Sequence, residues 1–273
     1  MRRITRKIWS HNSLSSGITY ILKDVRRSEP TVINTFPELV ESIAKVYYNN
    51  KHLNLFYRGQ NAEHMNANEE TMIMPSIYRG LGSRDEQDEI ISGRKTLLKQ
   101  ADEFLRNKIG KKGVDLDATF MKYKEVRWAI FQHYEVCKTP LLDVTSSLRA
   151  ACSFAFHNDS DTGYLYVLGL PHINGSISYY VDESLLNIKL LSICPPHALR
   201  PHYQEGYLVG SFPMEIEEDI DILDFGRRLI AKFKIIKSTF WNEHFREIPV
   251  EALYPTGDRF KELSNDIKIK LAV

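Results

Sequence analysis

The sequence predicts a single α+β domain, with helices filling most of the first half and strands most of the second. Three observations lead there. Apolar residues recur at helical spacing up to Phe156. Beyond it they run together or alternate in short stretches such as GYLYVLGL at Gly163–Leu170. No internal repeat, low-complexity tract or Gly/Ser linker divides the chain. With 43% hydrophobic and 26% charged residues, the 273 residues can bury a substantial core. Basic and acidic residues number 36 and 35, so no overall field draws the chain to nucleic acid or an anionic membrane. Cys137, Cys152 and Cys194 form no dense even framework, which points to a reducing compartment. No apolar run approaches the roughly 20 residues that span a bilayer. The basic start MRRITRKIWSHNSLSS lacks the apolar core of a signal peptide. A cytoplasmic location without membrane contact is therefore expected.

Taken in order, Ile18, Tyr20 and Leu22 alternate as in an edge strand. Thr35, Pro37 and Glu38 then open a helix, as cap, first-turn proline and capping-box glutamate, with Leu39, Ile43, Val46 and Tyr47 on one face. Leu53–Arg58 reads as a buried strand that delivers Arg58 just before Gly59 and Gln60. Such an arginine either aims into a cleft or pairs with a structural carboxylate. Residues 61–71 are polar and loop-like, and Pro75–Arg79 returns to the body. Ser83 with Glu86 opens a long helix that ends at the Gly110–Gly113 segment, and a second runs over 117–136 with His133 near its end. Later strands are expected at 163–170, 176–181, 207–212 and 228–236, with a helix over 182–193 and a helical tail from Ser238 broken around Pro249–Gly257.

The organising stretch is Phe131–Phe156, FQHYEVCKTPLLDVTSSLRAACSFAF, where His133, Tyr134, Asp143, Thr145, Ser146 and Ser147 crowd between apolar runs. Its LLDVTSS reads as a polar turn with good N-cap chemistry, opening a helix whose start suits an anion or ribose. QHY followed by TPLLDVTSSLRAACSFAF resembles the central signature of the FRG domain family, usually close to QHYGLPTRLLDWT before a helix rich in Ala and Phe. FYRGQ at Phe56–Gln60 and PSIYR at Pro75–Arg79 match in order, and HYQEGYLVGSF at His202–Phe212 is similar to the family's late segment. The resemblance divides the domain into an N-terminal extension (1–52), an FRG-like core (53–213) and a completing C-terminal part (214–273).

The resemblance implies an ADP-ribosyltransferase-like fold, with the helical half packed on a mainly antiparallel split sheet around an NAD-holding cleft. NAD would then be a substrate, for ADP-ribosyl transfer to an unknown protein or nucleic-acid acceptor or for hydrolysis by water. Arg58, Gly59, Gln60, His133, Tyr134, Thr145, Ser146 and Ser147 would bind the dinucleotide. Arg58, Gln204, Glu205 and Asp143 would carry catalysis. Breaking the nicotinamide bond builds positive charge on the ribose, so a nearby carboxylate lowers the barrier. At the late position, however, the residue is Gln204, which carries no charge, and Glu205 on a strand would face the other way. Asp143 is the other source of charge; otherwise NAD is bound without turnover, and the chain is a nucleotide- or partner-binding module. A toxin or defence effector role stays open, as does the oligomeric state. A zinc site from His133, Cys137, Cys194, His197 and His202 matches no tight ligand spacing, so no metal is expected. Ser146, His133 and Asp143 lack a nucleophile-elbow pattern, and no glycine cluster has the lysine-hydroxyl ending of a phosphate loop.

Overall fold

The computed structural model describes residues 1–5, 8–10, 19–20, 22–82, 84–112, 122–157, 160–214 and 220–271. Its helices are α1 (Leu22–Arg27), α2 (Phe36–Asn49), α3 (Arg84–Lys112), α4 (Lys124–His133), α5 (Leu148–Ala155), α6 (Leu190–Ile193), α7 (Leu199–Tyr203), α8 (Lys237–Phe240), α9 (Val250–Leu253) and α10 (Arg259–Leu271). Its strands are β1 (Ile8–Trp9), β2 (Thr19–Tyr20), β3 (Thr31–Ile33), β4 (Asn54–Gln60), β5 (Leu141–Thr145), β6 (Thr162–Leu170), β7 (Ile177–Tyr180), β8 (Leu185–Lys189), β9 (Gly206–Ser211) and β10 (Leu229–Ile236). This is a mixed α and β protein whose strand pairing is mostly antiparallel. The chain falls into two units, each assembled from three stretches: Met1–Ile73, Val144–Ile173 and Asp221–Leu253 make one, and Met74–Asp143, Asn174–Ile220 and Tyr254–Val273 make the other.

In the first unit β6 lies between β10 and β4, antiparallel to both, and β3 joins β10 in parallel. Leu165, Tyr166, Val167 and Leu168 of β6 are at most 1% exposed, so both faces are covered and the strand reads as a run rather than an alternation. On one face α5 packs almost backbone to backbone. A Cβ built on Gly59 would stand 1.8 Å from the Ala151 carbonyl oxygen, and one on Gly163 would stand 2.7 Å from the Ala155 Cβ. The two glycines and the alanines of α5 are thus one packing device. Ser147 caps α5, its Oγ accepting from Ala150 N at 3.3 Å. The stretch LLDVTSS is therefore not a turn before the helix: Leu141–Thr145 is a strand, since Leu141, Leu142 and Val144 are buried. Thr35 caps α2 by accepting from Glu38 N, and Glu38 reaches back to Asn34 N, one residue before the cap. Leu39, Ile43 and Val46 are buried as expected, whereas Tyr47 is 49% exposed. The edge strand expected through Leu22 stops at Tyr20, and Leu22 opens α1; Ile18 lies outside the described residues.

In the second unit β8 pairs with β7 and β9, antiparallel to both. This corrects the helix expected over 182–193. A 3-10 turn at Val181–Glu183 leads through left-handed Ser184 (φ 49°) into the strand, and only Leu190–Ile193 is helical. An inner strand with Leu185, Leu186, Asn187 and Ile188 all buried shows no alternation, so its leucines mimic a helix face. Helix α3 runs to Lys112, inside the Gly110–Gly113 segment where its end is expected, and the Ser83 cap lies outside the described residues. Helix α4 starts after its extended N-cap Tyr123 and ends at His133, three residues before the expected 136; residues 117–121 of that expectation lie outside the described residues. Lys108 of α3 pairs with Asp266 of α10. The tail is less helical than expected: residues 241–249, before the expected break, carry no helix, and the short α9 falls inside it.

Candidate functional site

A polar network of the second unit is assembled by the last turn of α4. Gln132 Nε2 donates to Asp143 Oδ2 at 2.9 Å, and His133 Nδ1 lies 3.0 Å from Asp143 Oδ1. Since a carboxylate only accepts, that nitrogen carries the proton. Gln132 Oε1 accepts from Ser76 Oγ (2.7 Å) and from Thr139 Oγ1 (2.8 Å), and Ser76 Oγ accepts from Thr139 N (2.9 Å). Both ends of the amide are used, so Gln132 links the PSIYR segment, the loop after α4 and the carboxylate. The His133 side chain is 3% exposed and that of Asp143 33%. The network thus holds Asp143 by both oxygens while leaving it open to solvent. His133 Nε2 is buried without a hydrogen bond, and a Cβ on Gly206 would come within 3.0 Å of His133 Cε1, so only glycine leaves the ring undisturbed.

Around this network Arg79 and Tyr254 both lie within electrostatic reach of Asp143. Burial raises the Tyr254 phenol above its ordinary value, and Arg200 opposes the shift. The Arg200 guanidinium stands over the Tyr254 ring at 4.3 Å and the Tyr134 ring at 5.6 Å, and it pairs with exposed Glu135 at 3.1 Å. Asp258 ties the group together by accepting from Tyr134 Oη (2.8 Å) and Arg200 N (2.9 Å). Burial first, then Asp258, pushes the Tyr134 phenol far above its ordinary value. At 2% exposure Tyr134 is a core residue with its hydroxyl spent. Gln204 is buried at the C-cap of α7, and exposed Glu205 is left-handed (φ 47°). Neither lies on a strand, because β9 begins at Gly206, so the expected alternation of faces does not apply.

Arg58, Gly59, Gln60, Thr145, Ser146 and Ser147 belong to the first unit, whereas His133, Tyr134, Asp143, Gln204 and Glu205 belong to the second. Within the first unit Tyr57 pairs with Thr145, and the Tyr57 phenol feels Cys152 of α5. Thr145 therefore shares the α5 face, and Arg58, the next residue along β4, faces the other way. There the register sets Arg58, Tyr166 and Lys232 in one row across β4, β6 and β10. Lys232 Nζ is satisfied by Glu63 (2.6 Å), Thr71 Oγ1 (2.7 Å) and Arg26 O (3.3 Å). Arg26 in turn pairs with Asp224 and Glu70. Burial and then Glu63 raise the Tyr166 phenol, while Arg58 lowers it. Arg58 thus faces a buried lattice of charges, and Thr145 Oγ1 accepts from Ser147 N at 2.9 Å in forming the start of α5.

Among the described residues no three His, Cys, Asp or Glu side chains gather to hold a metal. His197 packs against Phe260, and burial pushes the Cys137 thiol up to about 12 and the Cys194 thiol higher. No helix of the described residues is long and apolar enough to cross a membrane.

A mixed α and β chain with a Gln-His-Thr-Asp network under a partly open carboxylate is the class that fold and site define. The family model of the FRG domain matches residues 53–163, which supports the FRG domain resemblance over that stretch. The match contains Arg58, Gly59, Ser76, Arg79, Gln132, His133, Thr139 and Asp143, and it ends before Gln204. No curated protein and no solved structure matches the chain. Of the residues around Asp143, Gln132, Ser76 and Arg79 stood inside quoted motifs but were not singled out. Arg200 and Tyr254 had no sequence signal, since neither lies in a motif.

Proposed function

We propose that the chain binds NAD and breaks its nicotinamide–ribose bond, passing ADP-ribose to a macromolecular acceptor or to water, with Asp143 as the essential carboxylate. The bonding pair leaves on the nicotinamide nitrogen, positive charge develops on the ribose, and the acceptor oxygen or nitrogen adds and sheds its proton. A fixed negative charge beside the ribose stabilises that transition state. The reading is carried by one observation: Asp143 is held at both oxygens by buried or half-buried donors and is still one-third exposed. Gln204 is buried and neutral and Glu205 projects from a turn, so Asp143 is the best-supported candidate of the three.

The test is mass spectrometry of NAD and its products after incubation with the purified chain. The parent is expected to release nicotinamide, with free ADP-ribose marking hydrolysis and a modified macromolecule marking transfer. Asp143→Asn should lower the rate about 10²–10³-fold, as when one transition-state electrostatic partner is lost. Release by that variant at the parent's rate overturns the role of Asp143. Binding of NAD without any release favours the binding-module reading, in which neutral Gln204 at the late family position is the supporting feature.

A further inference from the structure

Beside Asp143 the second unit carries three cations, Arg79, Arg94 and Lys138, for which no ion pair to a carboxylate forms among the described residues. Ile77 N donates to Thr139 O at 3.1 Å and Thr139 N to Ser76 Oγ at 2.9 Å, so the PSIYR segment is clamped to the loop before β5. The clamp brings exposed Arg79 and exposed Lys138 onto one patch. Arg94 reaches across from α3 to donate to the carbonyls of Ile77 (2.7 Å), Arg79 (2.7 Å) and Gly80 (3.4 Å). Both terminal nitrogens bond to backbone, but the charge remains. Arg79 spends only Nε, on Met74 O at 2.6 Å, and its terminal nitrogens make no hydrogen bond to the described residues. The Lys138 ammonium makes no hydrogen bond or ion pair among them either. Burial, then the charges of Arg94 and Arg79, hold that ammonium below the ordinary lysine value. The acid in reach of Arg79 is Asp143, whose oxygens already receive Gln132 and His133.

We propose that Arg79 and Lys138, backed by the fixed charge of Arg94, form a binding site for the pyrophosphate of a dinucleotide, directly beside the Asp143 carboxylate. A guanidinium fork grips two phosphate oxygens and an ammonium serves as a point charge, a pairing suited to two adjacent phosphoryl groups. Three cations on a chain of net charge +1 make no track for a polyanion, which disfavours nucleic acid. The identity of the dinucleotide rests on the NAD reading above; the anion site does not.

Calorimetric titration with inorganic pyrophosphate, ADP-ribose and NAD, at low and high salt, compares the parent with Lys138→Gln and Arg79→Gln. Each variant should bind pyrophosphate and ADP-ribose about tenfold more weakly or worse, and added salt should weaken the parent. Because Arg79→Gln also removes the Met74 hydrogen bond, Lys138→Gln, an exposed change without partners among the described residues, decides. If the parent binds no pyrophosphate at millimolar concentration, or Lys138→Gln binds it as tightly as the parent, the site is wrong. If both variants cleave NAD with the parent's KM, the site falls and the NAD reading stands. If pyrophosphate binding is lost in the variants but the parent neither binds nor cleaves NAD, the anion site stands and the NAD reading falls.

Discussion

Replacing Asp143 by alanine removes the acceptor from two donors of unequal burial. The His133 Nδ1–H, on a side chain 3% exposed, is left without a partner, which costs about 1–3 kcal/mol. The Gln132 amide is half-buried and water can reach it, so its loss costs roughly 0.5–1.5 kcal/mol. Together the cost is roughly 1.5–4.5 kcal/mol, which urea unfolding reads directly as a fall in the midpoint at constant slope. Gln132→Leu by itself also strips the partners of Ser76 and Thr139, so the pairwise share must be isolated by the cycle of Asp143→Ala, Gln132→Leu and the double variant. A coupling energy of about 0.5–1.5 kcal/mol is expected between the two residues. If Asp143→Ala unfolds within 0.5 kcal/mol of the parent, an order below which surface substitutions usually fall, the argument that Asp143 organises this network is refuted.

Two further outcomes follow from packing and burial. Gly59→Ala sets a Cβ 1.8 Å from the Ala151 carbonyl oxygen, a backbone atom that cannot swing away, so a loss of about 3 kcal/mol or more is expected; a circular-dichroism melt close to the parent's would contradict the close seating of α5. Burial raises the Cys137, Cys152 and Cys194 thiols above 9.0 and the Tyr134 and Tyr166 phenols above 10.0, so these groups stay protonated in the folded chain after the unfolded chain has begun to ionise. Their contribution is complete below pH 9 and is lost as pH rises past 9 and, more steeply, past 10, by up to about 1.4 kcal/mol per pH unit for each group. Urea unfolding at pH 8, 9 and 10 reads the slope, and a flat profile would refute the burial of these groups.

Local chemistry was legible wherever a short segment decides its own conformation. Thr35 and Glu38 marked the start of α2, the alanine spacing marked α5, and GYLYVLGL marked β6, because caps, periodicity and branched or aromatic runs act within a turn or a strand. The FRG signature also contained Gln132, His133, Thr139 and Asp143, and the fold brings His133 onto Asp143 in a hydrogen bond. Partnership across the chain was not legible. β8 looked helical because burial on both faces, imposed by β7 and β9, erased its alternation. Gly59 looked like the companion of a ligand-binding arginine, yet its constraint comes from Ala151, 92 positions on, approaching within what a methyl group would occupy. Arg58 could be read as facing a cleft or a carboxylate; only the register that sets it beside Tyr166 and Lys232 assigns it to the charged lattice of the first unit. Sequence thus determined the residues with special chemistry and many of the elements that carry them. The tertiary structure decided which of those residues share a face, because strand register and helix seating depend on partners tens to hundreds of residues away, whose choice leaves no local trace.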